Sequence, residues 1–359
     1  MRTKLLGNIK RLVVKLGTGV LTNASRQLDP GQMGELVGQI AALRAAGKGV
    51  VVVTSGAVGA GMGALNLRRR PAELAELQAC AAVGQARLMA QYEKLFNQHN
   101  LQTAQVLLTH EDLQHRERHL NARNALTKLL EMRNIVPIIN ENDTVSVTEL
   151  KFGDNDRLSA LVASLLPADL LIILTTADGL MENFGAPSAR TVPLVEHLDA
   201  AVEKLAGDTD SETAIGGMKT KLQAARIVIR SGIPLVIASG RKPDVLKRIL
   251  AGEPEGTLFV PKPVKLASRK RWIAFFHRPR GRIWVDDGAK RSLRENGRSL
   301  LPAGITKCEG DFKAGEVVRI CDSEGVEFAR GISRFSSSEV MGGKLSGVEV
   351  VHRNDMVIL

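Results

Sequence analysis

The chain has 359 residues, of which 44% are hydrophobic and 24% are charged, as is typical of a folded globular protein large enough for two domains. We expect neither a membrane span nor a signal peptide, because the chain has no run of about 18 apolar residues and no cleavage pattern. The net charge of +11 favours anionic partners, and three widely spaced cysteines argue against a disulfide framework and fit a cytoplasmic protein.

Short apolar strands alternate with amphipathic helices before residue 262. The predicted strands cover residues 11–17, 49–56, 103–109, 135–140, 170–176 and 234–239, and the predicted helices lie near residues 30–46, 72–97, 120–133, 156–166, 198–206 and 217–231. The strands are apolar on both faces, which is typical of a parallel sheet covered by helices. The pattern predicts an α/β sandwich with a mainly parallel central sheet, whose ligands bind outside the carboxyl ends of the strands.

The first strand ends in a segment suited to phosphate. Lys15 is followed by Gly17 and Thr18, so a cation and exposed backbone N–H groups meet at one place. Glycine lets the backbone approach a ligand closely, and backbone amides bind phosphate oxygens. An ordinary glycine turn with a solvated lysine is the alternative interpretation.

The second strand ends in small residues, Ser55, Gly56 and Ala57, which suit a narrow pocket. The following residues 59–64 fit the relaxed dinucleotide-binding pattern G-x-G-x-x-A. That pattern should begin directly after the strand and precede an acid that ends a second strand. Here the glycines begin late and the next acids lie in a helical pattern, which disfavours a nicotinamide site.

Polar residues crowd the end of the fourth strand, where residues 139–156 read INENDTVSVTELKFGDND. The candidates in this segment are Asn140, Asp143, Asp154, Asn155 and Asp156. A surface turn needs fewer carboxylates and amides, whereas donors and acceptors together suit a polar small molecule. A resident metal site fits less well, because Lys151 and Arg157 flank the acids, and Mg²⁺ is held mainly by phosphates in such sites.

Two later segments suit a nucleotide. The fifth strand ends in a turn that holds Thr175 and Thr176. Residues 214–221, AIGGMKTK, then place two glycines before a helix and two lysines in its first turn. Lysines there oppose the helix dipole, so the arrangement favours an anion bound at the helix amino terminus. The segment lacks the P-loop pattern GxxxxGK[ST].

A histidine pair at His115 and His119 has the spacing of a zinc-binding helix. The zinc pattern requires a glutamate directly after the first histidine, whereas Glu117 lies in the middle, and flanking arginines repel a dication. A solvated helix face is the preferred interpretation.

The composition changes after residue 262. Residues 262–283 contain eight Lys or Arg and no acid, and short strands with Asp-Gly or Glu-Gly turns follow. We therefore predict one domain over residues 1–262 and a small β-rich domain over residues 270–359. Basic residues interleaved with aromatic ones can contact RNA, and a solvated basic face is the plainer interpretation.

Several of these motifs together resemble one family. KLGTGVLT, VVTSGAVGAG, INENDTV, KFGDND, LTTADGL and GGMKTKLQAA, in this order, resemble the amino acid kinase family, and among its members those that phosphorylate glutamate. The tail segments RKRWI, VDDGAKRSLRENGRSLLPAGI and VHRNDM resemble a PUA domain. The resemblance covers nearly the whole chain. It implies ATP-dependent phosphorylation of the side-chain carboxylate of L-glutamate, the first step of proline biosynthesis, with Mg²⁺ on the nucleotide.

The resemblance also implies three residue sets. The catalytic set, in which Asp156 orients the two lysines, is Lys15, Asp156 and Lys221. The substrate-binding set is Ser55, Gly56, Ala57, Asn140, Asp143, Asp154 and Asn155. The ATP-binding set is Lys15, Gly17, Thr18, Thr175, Thr176, Ile215, Gly216, Gly217, Met218, Lys219, Thr220 and Lys221. The chain departs from the family at Thr176, where Asp is usual, and at Ile215, where Thr or another small residue is common.

The chemistry of the residues agrees with that reaction. A carboxylate nucleophile is already an anion at neutral pH, so the site needs no strong base. It needs in-line positioning and neutralisation of negative charge, which two lysines supply. We expect Asp143 to accept a hydrogen bond from the substrate ammonium, and Asn140, Asn155 and the amides after Ser55 to donate to the substrate carboxylates.

Two alternatives stay open. One is another branch of the family that phosphorylates a different carboxylate or a phosphate, and the other is an RNA-binding protein with a vestigial kinase domain. The lysine–aspartate–lysine set argues against the second. The resemblance also implies a homo-oligomer and feedback inhibition by proline.

Overall fold

The computed structural model describes residues 1–23, 27–146, 155–206, 217–261, 268–277, 279–342 and 345–359. The chain forms two compact units, Met1–Lys265 and Leu266–Leu359. Among the described residues, no helix combines the length and the apolar character needed to cross a membrane.

The strands of the first unit are, in chain order, β1 Arg11–Leu16, β2 Gly49–Val53, β3 Gln102–Leu108, β4 Ile135–Glu141, β5 Leu170–Thr175, β6 Met181–Glu182, β7 Arg190–Thr191, β8 Leu194–Val195, β9 Leu235–Ser239 and β10 Thr257–Phe259. Its helices are α1 Arg2–Leu6, α2 Thr18–Leu21, α3 Pro30–Ala45, α4 Ala57–Ala64, α5 Leu74–Asn97, α6 His110–Gln114, α7 Arg116–Glu131, α8 Asp156–Leu165, α9 Ala200–Leu205, α10 Met218–Arg230 and α11 Val245–Leu250.

Within the described residues, the main sheet has eight strands in the order β3-β4-β2-β1-β5-β9-β10-β8. The six strands from β3 to β9 pair in parallel, and β10 runs antiparallel to its neighbour β9. The central strands are buried on both faces, as the continuous apolar runs at 12–14 and 50–53 require. The predicted fold class, a helix-covered, mainly parallel sheet, is confirmed.

The second unit contains the helices α12 Ser268–Arg271, α13 Asp287–Asn296 and α14 Ser337–Met341, a π-helical turn Trp272–Phe276 and a 3₁₀ turn Pro302–Gly304. Its strands are β11 Gly281–Val285, β12 Ile305–Gly310, β13 Val317–Cys321, β14 Glu327–Ser333 and β15 Val351–Ile358. They form a five-stranded sheet in the order β12-β11-β13-β14-β15. The predicted β-rich carboxyl-terminal domain is thereby confirmed.

The second unit also contains a difference from the sequence prediction. The sequence predicts a turn at the Asp-Asp-Gly segment after β11, but this segment begins α13. The reason is that the Asp286 side chain accepts a hydrogen bond from the backbone N–H of Ala289 at 2.7 Å and so caps the helix.

Candidate active site

The carboxyl ends of the parallel strands form a line of polar residues along one edge of the main sheet. In the order β4-β2-β1-β5-β9, the line runs through Asn140, Ser55, Lys15, Thr175 and Gly240. Neighbouring strands lie about 4.8 Å apart, so side chains from adjacent ends can reach a common ligand. Lys15 lies in the middle, with the ends of β4 and β2 on one side and the ends of β5 and β9 on the other.

Asp156 links two lysines that come from different elements. Lys15 belongs to β1, Lys221 to α10, and Asp156 is the first residue of α8. One carboxylate oxygen of Asp156 lies 2.7 Å from Lys15 Nζ, and the other lies 3.0 Å from Lys221 Nζ. All three residues are buried, Asp156 completely. Two buried ammonium groups therefore converge on one carboxylate, and cations held close together suit an anionic ligand.

The first turn of α10 completes this cluster. Thr220 Oγ1 donates a hydrogen bond to the Asp156 carboxylate at 3.0 Å, and it also lies 2.8 Å from the carbonyl oxygen of Gly217. Lys219 is exposed, whereas Lys221 is buried, because residues two apart on a helix face different directions. The two predicted lysines therefore have different surroundings, and Lys221 is the one whose ammonium pairs with Asp156.

Three predicted site residues, Asp154, Ile215 and Gly216, lie outside the described residues. Met218, from the same predicted set, is the first residue of α10 and is partly buried.

The loop after β1 is held against the end of β5. The backbone N–H of Gly17 donates to the carbonyl oxygen of Leu174 at 3.1 Å. Thr175 ends β5, and Thr176 follows it as an exposed residue. Thr18, also exposed, begins the short helix α2. The structure therefore brings these four predicted ATP-binding residues to one side of Lys15.

Sequence reasoning missed a pair of basic residues on that same side. Arg241, in the loop after β9, donates to the carbonyl oxygens of Gly19 and Thr22, each at 2.8 Å. Lys242 lies 3.1 Å from the Asp178 carboxylate, and this hydrogen bond raises the pKa of Lys242. The signal in the sequence is the segment SGRKP, which directly follows an apolar strand.

On the other side of Lys15, three side-chain amides form a hydrogen-bonded chain. Asn155 Nδ2 donates to the carbonyl oxygen of Thr54 at 2.5 Å and to Asn140 Oδ1 at 2.6 Å. Asn140 Nδ2 donates in turn to Gln85 Oε1 at 2.7 Å. Both hydrogens of the Asn155 amide are therefore used. The donor role expected for Asn155 is wrong, because this amide has only its carbonyl oxygen left to offer a ligand.

A buried tyrosine, Tyr92, forms a hydrogen bond with Thr54, the residue whose carbonyl oxygen accepts from Asn155. The Thr54 hydroxyl donates to the Ser55 carbonyl oxygen at 3.2 Å and lies 2.8 Å from the hydroxyl of Tyr92. Thr54 has one hydroxyl hydrogen, so the Tyr92 hydroxyl is the donor between the two. Burial raises the pKa of Tyr92, which keeps its phenol protonated and able to donate.

The turn after β2 forms the start of α4. Gly56 precedes the helix with a φ of 101°, a left-handed conformation that favours glycine, and it has no side chain with which to cap the first turn. Ser55 is buried, and its hydroxyl has no hydrogen-bond partner in the part of the chain that the structure describes. The turn therefore places the buried hydroxyl of Ser55 close to the backbone N–H groups at the start of α4, which begins at Ala57. Together these groups could bind a carboxylate.

The glycine pattern at 59–64 belongs to α4 and forms no dinucleotide loop. A Cβ added to Gly61 would lie 1.8 Å from the carbonyl oxygen of Cys80, and one added to Gly84 would lie 1.8 Å from that of Ala57. These glycines let α4 and α5 pack backbone to backbone. The nicotinamide alternative is therefore wrong, because the glycines serve helix packing.

Asp143 lies two residues beyond β4 and is partly buried. Sequence reasoning did not identify Arg70 near it. Partial burial lowers the pKa of Arg70, and the Asp143 carboxylate opposes that shift, which indicates that the two charges are within electrostatic reach. The signal for Arg70 in the sequence is the basic run at 68–70.

The histidine pair differs partly from expectation. His115 is exposed, as a solvated helix face requires, but His119 is buried, and its Nδ1 lies 3.3 Å from the carbonyl oxygen of Leu113. The prediction of a fully solvated face is therefore wrong at His119, which packs against the preceding helix.

The second unit has its own basic surface. Arg280, Arg282 and Arg319 line a cavity of about 300 Å³ together with Glu309. Arg282 and Arg319 are cross-strand neighbours on β11 and β13. This surface accounts for part of the basic run noted in the sequence.

Comparisons with known proteins agree with these observations. The model of the amino acid kinase family matches residues 10–239, and that of the PUA domain matches residues 281–353. The glutamate 5-kinase of Geobacter sp. (strain M21) is 47% identical over 374 aligned positions, which cover 100% of each chain. That of Pelobacter propionicus (strain DSM 2379 / NBRC 103807 / OttBd1) is 44% identical, again over 100% of each. The resemblance inferred from the motifs is confirmed.

Proposed function

The chain belongs to the amino acid kinase family, and we propose that it acts as a glutamate 5-kinase. It transfers the γ-phosphate of ATP to the side-chain carboxylate of L-glutamate and forms glutamyl 5-phosphate, the first step of proline biosynthesis. The proposal places the enzyme in the cytoplasm, where its three cysteines, all free, would stay reduced.

The observation that carries the proposal is the position of the Lys15–Asp156–Lys221 cluster. It lies between the end of β2, with its buried hydroxyl and helix amides, and the end of β5, with its threonine turn. An acceptor held on the β4–β2 side and a nucleotide held on the β5–β9 side would meet at the two lysines. This arrangement supports in-line transfer between two bound substrates.

The residues would act mainly by positioning and by charge. The acceptor carboxylate is ionised at neutral pH, so no side chain has to remove a proton from it. Lys15 and Lys221 would neutralise the charge that spreads over the transferring phosphoryl group. Asp156 would hold both ammonium groups in place before the substrates bind, which avoids reorganisation during the reaction.

A divalent cation fits this site only together with the nucleotide. Among the residues that the structure describes, no three His, Cys, Asp or Glu side chains lie close enough to hold a metal ion. We therefore propose that Mg²⁺ is held by the ATP phosphates, where it supplies charge neutralisation.

The test is ATP turnover by the purified chain with L-glutamate, aspartate, N-acetylglutamate and UMP in parallel, with Mg²⁺ and with hydroxylamine to trap an acyl phosphate. Hydroxamate formed with glutamate alone is the expected result. Turnover with another acceptor and none with glutamate would overturn the proposal in favour of a different branch of the family. No turnover with any of the four would contradict the kinase activity itself.

A further inference from the structure

Gln85 lies beside the substrate pocket because of the way two helices cross. Gly84 on α5 packs against the backbone of α4, where a Cβ would come 1.8 Å from the carbonyl oxygen of Ala57 and 2.4 Å from the backbone nitrogen of Gly61. The next residue on α5 is Gln85. Its side chain reaches across to the end of β4, where Gln85 Oε1 accepts from Asn140 Nδ2 at 2.7 Å.

The hydrogen bonds fix the orientation of every amide in the chain that ends at Gln85. The Thr54 carbonyl oxygen can only accept, so the atom of Asn155 that faces it at 2.5 Å must be the amide nitrogen. That nitrogen also contacts Asn140 at 2.6 Å, which must therefore present its oxygen. Asn140 then donates from its amide nitrogen to Gln85, and the accepting atom of Gln85 must be its amide oxygen.

One strong donor is left over at the end of this chain. Gln85 Nε2 is buried and has no hydrogen-bond partner among the described residues, and the same is true of Ser55 Oγ. A buried donor without a partner costs roughly 1–3 kcal/mol, so such groups are rare outside binding sites. Both groups suit an oxygen ligand that carries negative charge.

The direction of the chain shows which end of a substrate would meet Gln85. Asp156, with its two lysines, marks the reacting end, and Asn155 is its neighbour in sequence. From there the hydrogen bonds lead through Asn140 to Gln85, away from the lysines. A group bound by Gln85 is therefore remote from the phosphoryl group that is transferred.

We infer that Gln85 is a substrate-binding residue whose Nε2 donates to the α-carboxylate of the acceptor amino acid, with Ser55 Oγ as a second donor nearby. This inference rests on the proposed function. It adds a residue on α5 that helps to determine which acceptor is bound. None of the site residues suggested by the sequence motifs lies on α5.

The test compares Gln85→Glu with wild type in the hydroxamate assay, with L-glutamate and with glutamic acid α-amide as acceptors. The introduced carboxylate would keep an oxygen for Asn140, but it replaces the donor with a negative charge. The KM for glutamate should rise by roughly ten- to a hundredfold, while the KM for ATP stays within about twofold. The α-amide can donate to the introduced carboxylate, so the preference for glutamate over the α-amide should fall by at least about tenfold.

Two controls separate binding from folding. Gln91→Glu places the same change on the same helix at a partly buried position and should leave both KM values unchanged. Gln85→Met removes the donor without adding charge, and it should raise the KM for glutamate by about tenfold even if Gln85→Glu folds poorly.

The outcomes distinguish this inference from the proposed function. Hydroxamate formation by the wild-type chain with glutamate tests the function alone. If wild type is active and both Gln85 variants keep its KM for glutamate, the inference is overturned and the function stands. The inference would also be overturned if the KM for glutamate and the KM for ATP rose together while the preference for glutamate over the α-amide stayed unchanged. That pattern would indicate a structural role for Gln85.

Discussion

The ammonium group of Lys15 lies 2.7 Å from a carboxylate oxygen of Asp156, and both side chains are at least nine-tenths buried. Burial removes water from both charges, so each depends on the other for its stability. Asp156 also contacts Lys221 at 3.0 Å, so one carboxylate holds both ammonium groups in position.

We predict that Asp156→Asn lowers kcat by about a hundredfold or more and lowers the free energy of unfolding by about 3 kcal/mol. The change removes the carboxylate that both buried ammonium groups contact. ATP with Mg²⁺ should raise the melting temperature of the variant by more than it raises that of wild type, because the phosphates replace the lost charge. Equal shifts in thermal denaturation would contradict the anchoring role of Asp156.

Lys221→Ala should lower kcat by about a thousandfold and leave the circular dichroism spectrum of the folded chain unchanged. The reason is that the buried ammonium would contact charge that develops on the phosphoryl group. Arg226→Ala is the matched control, since Arg226 lies on the same helix, is exposed and pairs with Glu203 on the surface. A near-normal kcat for Lys221→Ala would remove this lysine from the reaction.

Asp143→Ala should raise the KM for glutamate by about tenfold or more and leave the KM for ATP nearly unchanged. We expect this because the carboxylate would accept from the substrate ammonium on the β4 side of the site, away from the nucleotide. Initial-rate measurements with each substrate varied in turn provide the check. An equal effect on both KM values would mean that Asp143 lies elsewhere than in the acceptor pocket.

Gly61→Ala should destabilise the chain by about 2 kcal/mol or more, and it should also raise the KM for glutamate. The added methyl group would lie 1.8 Å from the Cys80 carbonyl oxygen and push α4 away from α5. The start of α4 forms part of the proposed acceptor site. Gly63→Ala is in the same helix, and among the described residues its added methyl group would meet only Gln27 Cγ, at 3.9 Å. This change should raise the free energy of unfolding by about 0.5 kcal/mol. Urea denaturation of the pair provides the comparison, and similar values for both would contradict the close packing.

Removal of divalent cations should abolish hydroxamate formation without lowering the melting temperature of the nucleotide-free chain. This follows if Mg²⁺ arrives with ATP and no resident ion supports the fold. Thermal denaturation with and without EDTA is the measurement. A drop in melting temperature would indicate a structural metal that the proposed site does not include.

The strands of the first unit were predictable because burial on both faces requires a continuous run of apolar residues, as at 50–53. Its long helices were predictable from their amphipathic pattern. The helix α4 was not predictable in the same way. Its sequence, AVGAGMGA, is rich in glycine, which disfavours helices, and tertiary packing against α5 overrides that preference.

The site was predictable where residues follow strands and unpredictable where they come from elsewhere. Lys15, Ser55 and Asn140 are near strand ends, and the sheet alone brings them to one edge. Gln85 is one polar residue within an amphipathic helix, and its role depends on how that helix crosses α4. The orientation of the Asn155 amide depends on a single backbone carbonyl, which no residue pattern records.

The strand order has a consequence for how such an enzyme can change its preferred acceptor. The amide chain contains residues from β4, from α5 and, in Asn155, from the segment directly before α8, with the turn after β2 beside it. The loops after β5 and β9 lie on the far side of Lys15. In the proposed site, substitutions confined to the β4, β2 and α5 residues would change the preferred acceptor and leave phosphoryl donation unchanged. Residues on the acceptor side and residues on the nucleotide side could then be substituted separately. The buried Lys15–Asp156–Lys221 cluster would serve both sides, so a substitution within it would affect both.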